Sequence, residues 1–302
     1  MYAIALDVGG TNVKGSLVDE KGNQFHVASI ESFHWKTSAA MIKGMVDFVK
    51  TLRVQEKNIV GVGLGIPGPC DSKNGIVHVT PNLPIKRPFP LRDHLKKELR
   101  MPVFIQNDGN CAAFGEATWG AAKGARVAIL LTLGTGIGSG VIIDGKIFDG
   151  AFGQAPELGH LPIDSRSKQM CGAGHHGCLE SCISKEYIKK MVERRLGKRL
   201  PLLEVENMAR AGNKKALALW QDVGGYLGLA IGSLLNIFNP EVVIIGGGIS
   251  PAFDLFEEAI KKEAAKLSFP SMLKQMRLVK AHLGNEAGKL GAARLVFENI
   301  KH

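Results

Sequence analysis

Three short stretches carry residues whose types and spacing suit phosphate chemistry. Asp7-Val8-Gly9-Gly10-Thr11-Asn12-Val13-Lys14 follows one apolar run and precedes another, the pattern of a tight hairpin whose backbone N–H groups converge on an anion. The glycines let the backbone come close, Thr11 and Asn12 add short donors, and Lys14 supplies a countercharge. Asp7, at the strand end, offers the hard oxygen donors that suit hydrated Mg2+. A second turn, Gly134-Thr135-Gly136, has the same context, and a third, Gly246-Gly247-Gly248, closes the apolar run from Glu241 to Ile245. Any one of these alone is only a β-turn; the first two together could grip a triphosphate from both sides.

Asn107-Asp108 follows the short apolar run Val103 to Gln106. The carboxyl end of a parallel strand is where α/β sheets place ligand-binding groups. Phosphoryl transfer asks little covalent work of a protein: an in-line acceptor, neutralised phosphates, and a carboxylate to take the acceptor's proton. Asp108 can take that proton and Asn107 can hydrogen-bond a neighbouring hydroxyl, while the competing role is helix capping by Asp108 or Asn110. Other chemistries lose their support. No G-x-x-x-x-G-K-[ST], H-E-x-x-H or G-x-S-x-G occurs, and the G-x-G-x-x-G at Gly63, Gly65 and Gly68 carries Pro67 and opens no helix.

The elements that must position these groups alternate between strands and helices. Tyr2 to Val8, Val13 to Val18, Ile59 to Ile66 and Val103 to Gln106 read as strands; Thr37 to Arg53, Leu91 to Arg100 and Asn110 to Trp119 read as helices. Further on, Lys214 to Phe238, Pro251 to Leu267 and Glu286 to Glu298 are helical, with strands at Glu241 to Ile245 and near Met276 to Ala281. Setting Ile4–Gly9 against Ile129–Gly134 brings Gly15, Leu17, Val18, Asp19 and Lys21 opposite Gly140, Ile142, Ile143, Asp144 and Lys146 without a gap. This internal repeat of strand, glycine turn, strand and turn predicts a duplicated α/β architecture.

A chain of 302 residues exceeds the size at which one core keeps growing, so two lobes with a cleft are expected. The N-terminus lacks the basic and apolar regions of a signal peptide, no stretch would span a bilayer, and five cysteines are an odd count for a disulfide framework, so the expectation is a cytoplasmic protein without a membrane partner. The net charge of +10 is spread along helices such as Lys185 to Lys198 and not gathered with aromatics, so it describes solvated surface and no nucleic-acid partner.

Together these residues resemble the ROK family (repressor, open reading frame, kinase) of the sugar kinase, hexokinase and actin-like ATPase superfamily. The likeness rests on DVGGTNVKG at 7 to 15, GVGLGIPGP at 61 to 69, NDGNCAA at 107 to 113, LGTGIGSGVI at 133 to 142, VIIGGGIS at 243 to 250 and AGKLGAA at 287 to 293. The resemblance implies a two-lobed ribonuclease H-like fold. Residues 1–120, completed by about 286–302, form one lobe, and residues 121–285, with a cysteine-containing segment at 157–182, form the other. It implies ATP and Mg2+ as cofactors, phosphorylation of a hexose or N-acyl hexosamine at the 6-hydroxyl, Asp108 as general base, and a homodimer. It implies Asn82, Asn107, Glu157, His160 and Glu180 as sugar contacts. ATP contacts would come from Asp7, Gly9, Gly10, Thr11, Asn12, Lys14, Gly134, Thr135, Gly136 and the Gly246, Gly247 and Gly248 turn.

The family's structural zinc takes a His and three cysteines, whereas here Ala173 stands at the middle cysteine, leaving His160, Cys171 and Cys178. Either His175, His176, Cys182 or water fills the fourth position, or the metal is lost. Two other functions remain to be separated from a kinase. A sugar-responsive repressor would need a DNA-reading domain ahead of Asp7, for which this chain has no room, and a non-catalytic ATP-binding module would leave Asp108 optional.

Overall fold

Alternation along the first strand already assigns its two faces. Ile4, Leu6 and Val8 belong to one buried cluster, Ala3 and Ala5 to another, as expected of a sheet covered on both sides. The computed structural model describes residues 1–53, 58–78, 80 and 83–300. In chain order the elements are β1 (Tyr2–Val8), β2 (Asn12–Asp19), β3 (Gln24–Glu31), α1 (Ser38–Leu52), β4 (Ile59–Ile66), β5 (Cys70–Asp71), β6 (Ile76–Val77), α2 (Leu91–Leu99), β7 (Val103–Asn107) and α3 (Asp108–Trp119). They continue with β8 (Val127–Leu133), β9 (Ile137–Ile143), β10 (Lys146–Ile147), α4 (Leu179–Ile183), α5 (Lys185–Leu196), α6 (Leu202–Arg210) and α7 (Lys214–Phe238), and end with β11 (Val242–Gly246), α8 (Glu257–Ala264), α9 (Pro270–Gln275), β12 (Arg277–Lys280) and α10 (Ala287–Ile300).

Two five-stranded sheets have the same strand order, β3-β2-β1-β4-β7 and β10-β9-β8-β11-β12. In each, an antiparallel meander is extended by two parallel strands: β1 runs parallel to β4 and β4 to β7, β8 parallel to β11 and β11 to β12. β8 begins and ends at the positions the internal repeat sets opposite β1, so the duplication is structural. Among the described residues no helix is long and apolar enough to cross a membrane.

The chain forms two compact units, Met1–Gly124 with Gly140–Pro156 and His282–His302, and Ala125–Ser139 with Glu157–Ala281. The sequence division assigned Gly140–Pro156 to the second lobe. The segment joins the first unit through Ser72 Oγ donating to Asp149 Oδ2 at 2.8 Å and Asn110 Nδ2 donating to the Ala155 carbonyl at 2.9 Å.

In the first unit α1 and α2 cover one face of the sheet with Met41, Met45, Phe48 and Leu95. α3 and α10 cover the other, where Cys111, Leu290, Ala292, Val296 and Phe297 pack on Ala3, Ala5 and Val18. α10 lies on backbone: a Cβ added at Gly63 of β4 would strike the Ala292 carbonyl, and one added at Gly291 would strike the Cys111 carbonyl of α3. These absent side chains set the height of α3 above the sheet, and with it the position of Asp108.

In the second unit the core of the sheet is β8 and β11, whose Leu130, Leu131, Val243, Ile244 and Ile245 are all buried. α7 has the bounds its periodicity predicts. The helix expected from Pro251 to Leu267 is instead a short 3-10 turn, Ser250–Leu255, followed by α8; the break falls at Phe256, whose ring stacks on Trp220 at 6.0 Å. β3 was not expected at all. It is an edge strand with most residues exposed, and the brief alternation of Phe25 and Val27 is broken by Ala28-Ser29 before Ile30.

Gly63→Ala is expected to destabilise the protein by about 1–3 kcal/mol through overpacking against α10. Gly225→Ala, on α7 where an added methyl meets nothing within 4 Å, is expected to stabilise by about 0.5–1 kcal/mol. Urea unfolding of both variants checks the pair, and equal effects would contradict the packing described.

Candidate active site

In the first unit the β1–β2 turn is closed by the Gly9 N–H donating to the Asn12 carbonyl at 2.9 Å. A side chain at Gly9 would lie 2.9 Å from that same oxygen, so the turn requires glycine. Ser32, which the sequence reading passed over, braces the turn: its N–H donates to the Thr11 carbonyl at 2.8 Å and its Oγ to the Gly9 carbonyl at 2.7 Å. Thr11 and Asn12 are exposed at the tip. Asp7 pairs with Lys14 across the hairpin, which brings a cation beside the strand-end carboxylate.

Asp108 is the first residue of α3, and the cap is Asn107, not Asp108 or Asn110. Asn107 Oδ1 accepts from the Asn110 N–H at 3.1 Å, and its Nδ2 donates to the Gly68 carbonyl at 3.2 Å. Both ends of the Asn107 amide are therefore engaged with the chain itself, in the service of placing its neighbour. Gln106, also unanticipated, is buried behind them, its Oε1 accepting from the Asn107 N–H at 2.7 Å and from Asn110 Nδ2 at 3.3 Å. With the capping done by Asn107, the Asp108 carboxylate accepts the Gly109 N–H at 2.9 Å, and its own N–H and the Asn107 side chain also donate to it.

Burial, and next the charge of Asp7, push the Asp108 carboxyl up to about 6, against the opposing Gly109 N–H. Asp7 is raised as well, by burial first; Lys14 and Lys289 oppose that shift and Glu286 adds to it. Two carboxylates thus stand in each other's field at the ends of β1 and β7, within a few residues of a glycine turn. A carboxyl group poised near neutrality suits proton abstraction at physiological pH.

In the second unit the β8–β9 turn is narrower, with the Gly134 N–H donating to the Gly136 carbonyl at 3.0 Å. Glu180, in the first turn of α4, lies directly beneath: its Oε2 accepts from the Ile137 N–H at 2.9 Å, and a Cβ at Gly136 would come within 2.6 Å of that oxygen. Gly247 adopts φ +81°, and a side chain there would meet the Leu133 nitrogen at 2.6 Å. That contact sets the Gly246–Gly248 turn against the end of β8, immediately before Gly134.

His160 ends a 3-10 turn, Leu158–His160, that follows the exposed Glu157. Its Nδ1 lies 3.6 Å from Cys171 Sγ and 3.9 Å from Cys178 Sγ. Tetrahedral zinc with N and S ligands puts such atoms about 3.6 Å apart, so the three residues, the one metal-competent group among the described residues, fit that ion. Burial holds the His160 imidazole below its ordinary pKa despite the pull of Glu180, which favours the neutral, ligating form. Of the residues proposed to complete the set, the His175 ring stands edge-on to His160 at 4.7 Å, whereas His176 Nδ1 lies 3.2 Å from the Lys168 carbonyl. Ala173 is exposed and offers no ligand atom. Asn82 lies outside the described residues.

Residues 3–299 match the ROK family. The chain belongs to that family. It is 33% identical over 311 residues to a glucokinase from Thermotoga maritima, covering 98% of each chain, and 32% identical over 313 residues to one from Halalkalibacterium halodurans, covering 98% of this chain and 94% of that one. A xylose repressor from Bacillus spizizenii is 29% identical over 304 residues, which cover 99% of this chain and 78% of the repressor. Among solved structures, a ROK family glucokinase from Streptomyces griseus in complex with glucose and AMPPNP superposes with a TM-score of 0.81 at 28% identity, covering 99% of this chain and 100% of that one. Like that fold, this one is the mixed α/β actin-like ATPase fold of ROK sugar kinases.

Loss of the cap is measurable without any activity: Asn107→Ala should lower the unfolding free energy by about 1 kcal/mol. Asn107→Asp keeps the capping oxygen but loses the donation to Gly68 and adds a charge beside Asp108, so it should recover only part of that loss in urea titrations.

Proposed function

We propose that the protein transfers the γ-phosphate of ATP to a hydroxyl of a hexose or N-acyl hexosamine, at the 6-position, with Asp108 as general base. The observation that carries this is the Asp108 carboxyl at the strand end, uncommitted to helix capping and raised to about 6 beside the Asp7 of a glycine hairpin. The full-length similarity to glucokinases supports the same chemistry.

In the proposed step the acceptor hydroxyl gives its proton to Asp108 as its oxygen bonds to the γ-phosphorus. The bond from that phosphorus to the bridging oxygen breaks and ADP leaves; Asp108 then returns the proton to solvent. The Gly9-Gly10-Thr11-Asn12 turn with Lys14, and the Gly134-Thr135-Gly136 turn, are assigned to phosphate, and Gly246 to Gly248 to adenosine. Asp7, a half-buried carboxylate flanked by Lys14, offers the oxygen ligands that suit the hydrated Mg2+ accompanying ATP, which neutralises phosphate charge when bound. Glu157, His160 and Glu180 are assigned to sugar hydroxyls, with Asn82 and Asn107. Paired carboxylates suit such a task, because each accepts from two adjacent hydroxyls and rejects analogues that lack them.

Zinc on His160, Cys171 and Cys178 belongs to the same proposal as a structural element. Cys178 caps α4 and Glu180 lies in that helix's first turn, so an ion there would stiffen the support of Glu180. A homodimer and a cytoplasmic setting complete the proposal.

Asp108→Asn should lower kcat for sugar-dependent ADP release by about a hundredfold or more. Its Tm at pH 8 should not fall, because a carboxyl whose pKa is higher folded than unfolded weakens the fold as pH rises through that window, and asparagine removes the charge. For the unmodified protein, kcat/KM should be level above about pH 7 and drop tenfold per unit below about 6, where Asp108 holds its proton. Full activity of Asp108→Asn, or an acid limb below pH 5, would refute the base assignment. A panel of sugars compared by kcat/KM identifies the acceptor. Metal analysis of protein purified without added zinc should find about one zinc per chain, lost in Cys178→Ser.

A further inference from the structure

Among the described residues Lys289 is the one buried lysine, only 1% exposed. Burying an ammonium group costs several kcal/mol unless it is well paired. Its ion-pair partner is Glu286, at 2.7 Å and 41% exposed, so one face of the pair is open to water. Lys289 also occupies the first turn of α10, the end of a helix where the macrodipole disfavours a cation. It is thus unfavourable for stability on two counts, and such local conflicts concentrate where a residue serves function.

The surroundings indicate which function. The residue before it, Gly288, lies against the Asp7 carboxylate: a Cβ added there would sit 3.3 Å from Asp7 Cγ and 3.4 Å from Oδ1. The charges around Asp7 are Lys14 from β2, Asp108 from α3, Lys289 from α10 and Glu286 from the 3-10 turn before it. Of the two cations, Lys14 acts on Asp7 more strongly but is partly exposed and open to screening by salt, whereas Lys289 is enclosed and its smaller effect is little screened.

We propose that Lys289 is the fixed countercharge of Asp7, a positioning residue that holds this carboxylate in place behind the phosphate hairpin so that nucleotide with its divalent cation can bind. This rests on the kinase function proposed above, in which Asp7 serves the nucleotide. Lys14 is the partly exposed partner and Lys289 the buried one.

The test compares Lys289→Met and Lys289→Arg in stability and kinetics, then combines each with Asp7→Asn. Lys289→Met should change the Tm little, because relief of the buried charge, with Glu286 free to turn to water, is set against the lost compensation at half-buried Asp7. Its KM for MgATP should rise about tenfold while kcat falls less, and Lys289→Arg should recover most of the loss. In the Asp7→Asn background Lys289→Met should raise KM no further. Urea unfolding without nucleotide or metal should show the two substitutions coupled, not additive. A lysine kept for folding alone would give a lower Tm with KM unchanged, and that result, a Lys289→Met variant that does not fold, or strict additivity would overturn the proposal. If the unmodified protein releases no ADP with any sugar, the kinase function fails instead, and the coupling measured in nucleotide-free protein still decides the role of Lys289.

Discussion

The proximity of two carboxylates, Asp7 and Asp108, is the constraint on which the first unit turns. Like charges in a half-buried corner oppose each other, and the fold must hold them there against that repulsion. It does so with backbone. α10 rests directly on β4 at Gly63 and on α3 at Cys111, leaving no side chain between, so the ends of β1 and β7 and the start of α3 have little freedom to move apart. Hydrogen bonds then fix orientation: Gln106, Asn107 and Asn110 tie the β7–α3 junction together, and Ser32 braces the facing side of the β1–β2 turn. The poised Asp108 carboxyl results from this packing and is no intrinsic property of an aspartate.

The second unit reaches a similar end through different contacts. Glu180 accepts the Ile137 N–H and so anchors the start of β9 to α4, whose cap is Cys178. The cysteine–histidine cluster and the glycine turn are therefore mechanically linked through one short helix. Gly247, with its positive φ, brings the third glycine turn against the same strand end. Two copies of one strand order have thus been fitted with unrelated braces, a hydroxyl in the first and a carboxylate in the second.

Much of the fold was legible in the chain. α7 and the paired hairpins follow from periodicity and from the repeat, because long apolar stripes and glycine turns are local signals. The misses have physical causes. β3 is an exposed edge strand with only a brief alternation, the helix after Pro251 breaks at Phe256, which stacks on Trp220, and Gly140–Pro156 joins the first unit through two polar contacts that no local pattern announces. Ser32 and Gln106 carried no signal either, since a lone serine and a lone glutamine are ordinary residues until their partners are known.

The sequence by itself determined the types of the reactive groups, their order along the chain, the strand-end and turn positions they occupy, and the duplication that sets one strand order twice. Those are consequences of short-range conformational preference and of burial on one face of each element. Which of Asn107, Asp108 and Asn110 caps α3, and hence which carboxylate is left for chemistry, was decided only by the tertiary structure. So were the raised Asp108 carboxyl and the enclosure of Lys289 next to Asp7. Each depends on desolvation and on charges far apart in the chain, quantities that exist only once distant segments have packed together.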